Sequence, residues 1–177
     1  MTLSAVYVLA GLVFALWLAR QWTRRHTSCE RASRPQELAN AELVYMEKLF
    51  RIAEPIRLVA KVDRVYRLPG GSLVLVELKT RRQDRPYLTD IIQLSAQRVA
   101  IEVQTGEAVK PYAFVSILGR NRKMRSHQVR LLDAAEVVDV YRRRKAIRTG
   151  RTSPAYASTE SACRGCTLRS RCDRFER

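Results

Sequence analysis

Two β-rich runs, residues 56–66 and 73–79, flank the turn sequence Leu68-Pro69-Gly70-Gly71-Ser72. Together they predict an antiparallel hairpin near the middle of the chain. If it turns through Pro69-Gly70-Gly71, Asp63 stands opposite Glu77 and Lys61 opposite Lys79. Directly paired side chains share a face, with Cβ atoms about 5 Å apart. A two-residue Gly70-Gly71 turn would slip the pairing by one, set Asp63 against Leu78 and dismantle the pair. Two carboxylates that close repel unless a cation lies between them, and oxygen-only ligation suits Mg²⁺ or Mn²⁺. Glu77 also ends the apolar run Leu73-Val74-Leu75-Val76, where an unpaired carboxylate is costly. Lys79, two residues on, projects to the same face, where an ammonium orients water and stabilises charge developing on a phosphate. A plain surface ion pair is the alternative reading of these three residues.

Around the hairpin, Pro35-Gln36-Glu37 predicts a helix to about Phe50, with Leu38, Ala41, Tyr45 and Leu49 near helical spacing and Pro55 beyond it. Pro86 opens a second helix, with Leu88, Ile91, Ile92, Ser95 and Val99 on one face. Residues 112–118 and 128–132 read as strands joined by the basic turn Gly119-Arg120-Asn121-Arg122-Lys123. A third helix begins at Asp133 as N-cap and runs to about Arg148. This order gives a small α/β domain. A length of 177 residues excludes a multidomain enzyme, and a hydrophobic share of 46% excludes a disordered chain.

Charge is unevenly placed. The chain has 33 Lys+Arg against 17 Asp+Glu, a formal net charge of +16, yet residues 1–19 contain no ionisable side chain. Residues 3–19 are uncharged and mostly apolar, near the short limit for a spanning helix, and Arg20, Arg24 and Arg25 follow at once. The expectation is a single-pass anchor in the cytoplasmic membrane, with the C-terminal body in the cytoplasm. The basic body needs an acidic partner.

After the hairpin comes Asp90-Ile91-Ile92-Gln93-Leu94 on the second helix. Asp63, Glu77-Leu78-Lys79 and this Gln helix together resemble the PD-(D/E)XK nuclease superfamily, in its RecB-like branch. The resemblance implies a restriction-endonuclease-like core, a mixed central sheet flanked by helices, over residues 36–150. It implies that Asp63 and Glu77 bind Mg²⁺ or Mn²⁺ with the Leu78 carbonyl, that Lys79 positions water, and that Gln93 contacts the site or DNA. Two positions depart from the pattern. Gln97 stands where the family usually has Tyr, and it reads as part of a solvated helix face. No His lies between residues 27 and 126, which leaves Glu37, Glu42 and Glu47 as candidates for a further ligand.

Cys163-Arg164-Gly165-Cys166 is followed by Cys172, and Cys29 is the remaining cysteine. In a reducing compartment this spacing reads as a metal site, for zinc or an iron–sulfur cluster alike. One Cys before the core and three after it resemble the CRISPR-associated RecB-like exonucleases. That likeness implies a [4Fe–4S] cluster on Cys29, Cys163, Cys166 and Cys172, with zinc as the alternative. The organisation expected is an anchor over 1–19, a basic linker over 20–35, the core, and an iron–sulfur segment over 151–177. Arg81, Arg82, Arg120, Arg122 and Lys123 are the expected DNA-binding residues. The expected activity is metal-dependent DNA hydrolysis on single strands or ends, exonuclease favoured over endonuclease. The alternative is a catalytically degenerate fold that binds DNA or scaffolds other proteins at the membrane.

Overall fold

The strand Leu73–Thr80 is the spine of the sheet in the computed structural model, which describes residues 12–14, 17, 30–31, 33–157, 160–167 and 169–172. Leu73, Leu75 and Glu77 point to one face of the sheet, and Val74 and Val76 to the other. All five are buried, and this is why the stretch reads as a continuous apolar run rather than an alternating one. Five strands make the main sheet: β1 (Glu42–Met46), β4 (Arg64–Arg67), β5 (Leu73–Thr80), β6 (Tyr112–Leu118) and β7 (Met124–Arg130), in the order β1-β4-β5-β6-β7. β5 and β6 are parallel and the other pairs antiparallel, so the sheet is mixed. β2 (Leu49–Ile52) and β3 (Leu58–Lys61) form a separate two-stranded sheet.

A parallel pair needs a crossover, supplied here by helix α1, Leu88–Thr105. Its N-terminus is closed by Asp90, which accepts a hydrogen bond from the Tyr87 N–H at 2.7 Å. Gly106 ends it at φ 71°, a left-handed conformation suited to glycine. α1 packs on the face bearing Val65, Leu75 and Val115 through Leu94, Ala100 and Ile101. On the opposite face Leu38 and Ala41 pack with Tyr66, Val74, Val76 and Phe114.

Three local expectations are corrected. Residues 36–50 are not a helix: only Gln36–Leu38 forms a 3₁₀ turn, and β1 and β2 follow. Leu38 and Ala41 are buried as a helical pattern would have them, but Leu43, Tyr45, Phe50 and Ile52 find strand partners instead, which overrides the spacing. Residues 56–66 are not one strand either. The run breaks at Val62-Asp63, where Val62 N–H donates to the Lys48 carbonyl at 2.9 Å and Glu47 N–H to the Asp63 carbonyl at 3.0 Å. These two bonds tie the break to the β1–β2 turn, so β3 and β4 enter different sheets. Finally, the last strand is Met124–Arg130 rather than residues 128–132, pairing with β6 along its whole length.

The anchor expected over residues 1–19 lies outside the described residues except for 12–14 and 17, which are helical and exposed. Among the described residues no helix is long and apolar enough to cross a membrane. Glu30, Ser33 and Arg34, at the end of the expected linker, are packed on the sheet. Glu30 is 6% exposed and accepts hydrogen bonds from the Tyr66 hydroxyl at 2.6 Å and from Arg34 at 2.9 and 3.0 Å. Burial, together with the Glu30 hydrogen bond and charge, pushes the Tyr66 hydroxyl up to about 12.

The chain divides into two compact units, Met1–Val137 and Val138–Arg177. The elements above belong to the first. Helix α2, Ala134–Arg148, runs across the boundary, and its N-terminus carries the reciprocal pair Glu136 N–H to Asp133 and Asp133 N–H to Glu136, both 2.8 Å. The second unit contains the basic end of α2, the short helix α3 (Glu160–Arg164) and a 3₁₀ turn, Arg169–Arg171.

Candidate active site

The register between β4 and β5 follows from the Leu68–Ser72 turn. Leu68 N–H donates to the Ser72 carbonyl at 2.9 Å, and Arg67 faces Leu73, Val65 faces Leu75 and Arg64 faces Val76. One step further sets Asp63 level with Glu77, as the turn length predicts. Asp63 itself sits at the chain break just before β4, outside the ladder. Freed from strand pairing, its side chain reaches across to β5, and Oδ2 accepts the Leu78 N–H at 2.7 Å.

Glu77 is 3% exposed at the point where β5 leaves the core. Oε1 accepts from Lys79 Nζ and from Gln93 Nε2, both at 2.7 Å, and Oε2 accepts from Gln97 Nε2 at 3.1 Å. Lys79 Nζ also donates to Gln93 Oε1 at 3.1 Å. The structure thus brings Asp63, Glu77, Leu78, Lys79 and Gln93 together. The carboxylate at the end of an apolar strand is satisfied by one cation and two amides.

Gln97 is the residue that sequence reasoning missed. It is 2% exposed rather than solvated, and Nε2 also donates to the Lys61 carbonyl at 2.8 Å. One bond therefore reaches β5 and the other the last residue of β3. The available signal was its spacing: Gln93 and Gln97 are four apart, hence on one helical face, and Leu94 and Ile101 are buried on either side of it.

Burial raises the Asp63 pKa; the Leu78 N–H opposes this, the charges of Glu77 and Glu47 add to it, and the net result lies above the ordinary aspartate value. Glu47 is therefore the member of the Glu37, Glu42 and Glu47 set that lies beside the site. It occupies the β1–β2 turn at φ 53° and its carboxylate pairs with Lys61. Adjacent carboxylates repel one another, and a divalent cation between Asp63 and Glu77 relieves that repulsion. Among the described residues no three His, Cys, Asp or Glu side chains are grouped closely enough to hold a metal ion. Mg²⁺ commonly takes only one or two carboxylates and keeps several waters, so Asp63, Glu77 and the Leu78 carbonyl fit such an ion.

The basic residues divide. Arg81 is committed within the fold: its guanidinium donates to Asp90 at 2.7 and 3.3 Å and to the Arg85 carbonyl at 2.6 Å, and lies 4.2 Å above the Tyr87 ring. Burial acts to raise the Asp90 pKa, but the Arg81 and Tyr87 hydrogen bonds outweigh it and hold the carboxyl below its usual value. Arg81 therefore closes α1 rather than facing outward. Arg82, Arg120, Arg122 and Lys123 are exposed and carry no ion pair among the described residues.

Cys163 is buried, Cys166 exposed and Cys172 half-buried. Backbone bonds run from Cys166 N–H to the Cys163 carbonyl (3.2 Å), Arg169 to Cys166 (3.2 Å) and Cys172 to Arg169 (3.3 Å). In such i→i+3 turns, residues three apart stack on one side. Among the described residues the three cysteines form no group close enough to hold a metal ion. Cys29, the expected fourth ligand, lies outside the described residues.

Comparison with solved structures finds the crystal structure of SSO0001, with a TM-score of 0.49 and 17% identity over 97% of this chain and 78% of that one. A second, from Eubacterium rectale and described as a candidate exonuclease, has a TM-score of 0.45 and 14% identity. It covers 81% of this chain, which spans 57% of that one. No curated protein matches the sequence. The sequence pattern of the PD-(D/E)XK nuclease superfamily matches residues 5–173, nearly the whole chain. With Asp63, Glu77 and Lys79 gathered at one exit of the sheet, the chain belongs to the PD-(D/E)XK nuclease superfamily.

Proposed function

We propose that the protein is a divalent-metal-dependent deoxyribonuclease that acts on single-stranded DNA or DNA ends. The observation that carries the reading is the Glu77–Lys79–Gln93 network at the exit of β5, with Asp63 held beside it by the Leu78 N–H. Asp63, Glu77 and the Leu78 carbonyl would hold Mg²⁺ or Mn²⁺. When bound, that ion supplies Lewis-acid stabilisation of the phosphoryl oxygens and a more acidic water. The Lys79 ammonium, steered by Glu77 and Gln93, orients the water whose oxygen attacks phosphorus. It also stabilises the negative charge that grows on the phosphoryl group as the phosphorus–oxygen ester bond breaks. Gln93 holds the Lys79 Nζ from the helix side, so the ammonium position is fixed by two elements at once.

The same reading assigns the protein to the RecB-like, iron–sulfur type. The spacing Cys163-x2-Cys166-x5-Cys172 supports cysteine ligation of a cluster, with Cys29 as the fourth ligand. The uncharged stretch over residues 3–19 with Arg20, Arg24 and Arg25 behind it supports a membrane tether that leaves the body in the cytoplasm.

The test is degradation of end-labelled single-stranded DNA in Mn²⁺ by the wild type and by Lys79→Ala. Cleavage that falls by about 10²-fold or more in the variant is the expected result. No cleavage by either protein, with DNA still bound, would replace the nuclease by a DNA-binding scaffold.

A further inference from the structure

β5 and β6 run in parallel and finish at the same edge of the sheet, with Lys79 facing Ile117 and Thr80 facing Leu118. Two loops leave from that edge. One follows β5 and carries Arg82 and Asp84, and its first residue is fixed by the Arg81 N–H bond to the Leu118 carbonyl at 3.3 Å. The other is the β6–β7 turn, closed by the Gly119 N–H bond to the Lys123 carbonyl at 3.1 Å and by Asn121 Oδ1, which accepts the Lys123 N–H at 3.2 Å. Between them lies a cleft of about 310 Å³. Four of its walls are cationic, Arg82, Arg120, Lys123 and Arg125, and its one carboxylate is Asp84.

That carboxylate is already used. Asp84 Oδ2 accepts from Arg125 at 2.9 Å and Oδ1 pairs with His127 Nε2 at 2.7 Å, which joins the loop after β5 to the edge strand β7. The His127 hydrogen bond, followed by that of Arg125, keeps Asp84 below the ordinary carboxylate range, so it stays ionised and neutralises Arg125. Arg82, Arg120 and Lys123 are left without an ion pair among the described residues, around a cleft whose walls are fixed on both sides. Unpaired cations held this close repel one another, and a polyanion relieves that repulsion.

We propose that this cleft is a phosphodiester subsite that grips the DNA strand beyond the scissile bond, with Asp84 positioning its walls. The proposal rests on the nuclease reading and assigns the substrate's path across it. Arg82 is three residues past Lys79, so at most about 10 Å of chain separates them. A bound strand therefore brings a phosphate within a few nucleotides of the scissile bond up to Arg82. Guanidinium forks and an ammonium recognise phosphate oxygens without reading base identity, so the grip is independent of sequence.

The experiment measures binding of a short oligothymidylate by the full chain in chelator, where nothing is cut, across a salt series. Three proteins are compared: wild type, the double variant Arg82→Gln/Lys123→Gln, and a charge-matched control, Arg51→Gln/Arg57→Gln, with Arg51 on β2 and Arg57 just before β3. Both pairs are exposed, so folding is unaffected. Each phosphate contact contributes about 0.7 to the slope of log affinity against log salt on a single strand. The cleft variant should lose about 1.4 from that slope, so raising salt from about 50 to 200 mM weakens it roughly sevenfold less than the wild type. The control should keep the wild-type slope. Equal losses in the two variants, or none in either, would overturn the subsite. Cleavage in Mn²⁺ by a protein with equal slopes would refute the subsite and leave the nuclease reading intact. A selective slope loss in a protein that cuts nothing would uphold the subsite and refute catalysis.

Discussion

Gln97→Leu is the sharpest perturbation of the network around Glu77. It keeps the size of a buried side chain and deletes both hydrogen bonds of Nε2, at 3.1 Å to Glu77 and 2.8 Å to the Lys61 carbonyl. A bond to a charged group contributes about 1.5–3 kcal/mol and a neutral one about 0.5–1.5 kcal/mol, and the orphaned Glu77 oxygen stays buried. The first unit should therefore lose roughly 2–4 kcal/mol of stability. Urea unfolding followed by tryptophan-independent far-UV signal reads this as a lower midpoint with unchanged slope. Glu77 would keep Lys79 and Gln93 on Oε1 but lose the tether on Oε2, so half-maximal cleavage should need more Mn²⁺. Gln97→Glu separates polarity from charge. It sets a second carboxylate against Glu77, raises the proton affinity of the pair, and makes a loss that is largest at neutral pH and is regained as pH falls. A Gln97→Leu protein within about 0.5 kcal/mol of wild type, with unchanged Mn²⁺ dependence, would refute the reasoning.

Two further outcomes follow from the same geometry. Asp63 has a folded pKa above its unfolded value, so protonation favours the fold: the metal-free protein should gain stability as pH falls through that value. Mn²⁺ affinity, which needs the ionised form, should weaken over the same range, above the ordinary aspartate value of about 3.9; calorimetric Mn²⁺ titration showing no such loss would contradict it. For the cysteines, anaerobically purified protein should absorb broadly in the visible region, and Cys166→Ser should lose that absorbance. A colourless protein with one equivalent of zinc would assign zinc instead.

How much of this was legible depends on whether the deciding partner was local. Asp63, Glu77 and Lys79 could be placed from strand period and turn length, since both act over a few residues. The break at Val62-Asp63 could not, because it is made by Glu47 and Lys48 on a different hairpin. Gln97 reads as a solvent-facing amide until a buried carboxylate twenty positions earlier is set against it. Arg81 looks like a free cation beside the site, yet Asp90 claims it from the next helix. The helical spacing of Leu38, Ala41, Tyr45 and Leu49 described real burial at its start and lost to strand pairing beyond Glu42.

The Leu68–Ser72 turn has a consequence for tolerance to change. Gly70 is exposed, with nothing within 4 Å of where a Cβ would stand, and so accepts other side chains; Gly71, at φ 82°, accepts few. Surface loops commonly absorb insertions and deletions. This one cannot, because its length sets which residue of β4 meets which of β5. One residue more or less would slip β4 against β5 and carry Asp63, just before β4, out of level with Glu77 while leaving both in the sequence. Among the loops of the protein it is a place where spelling is free and length is not.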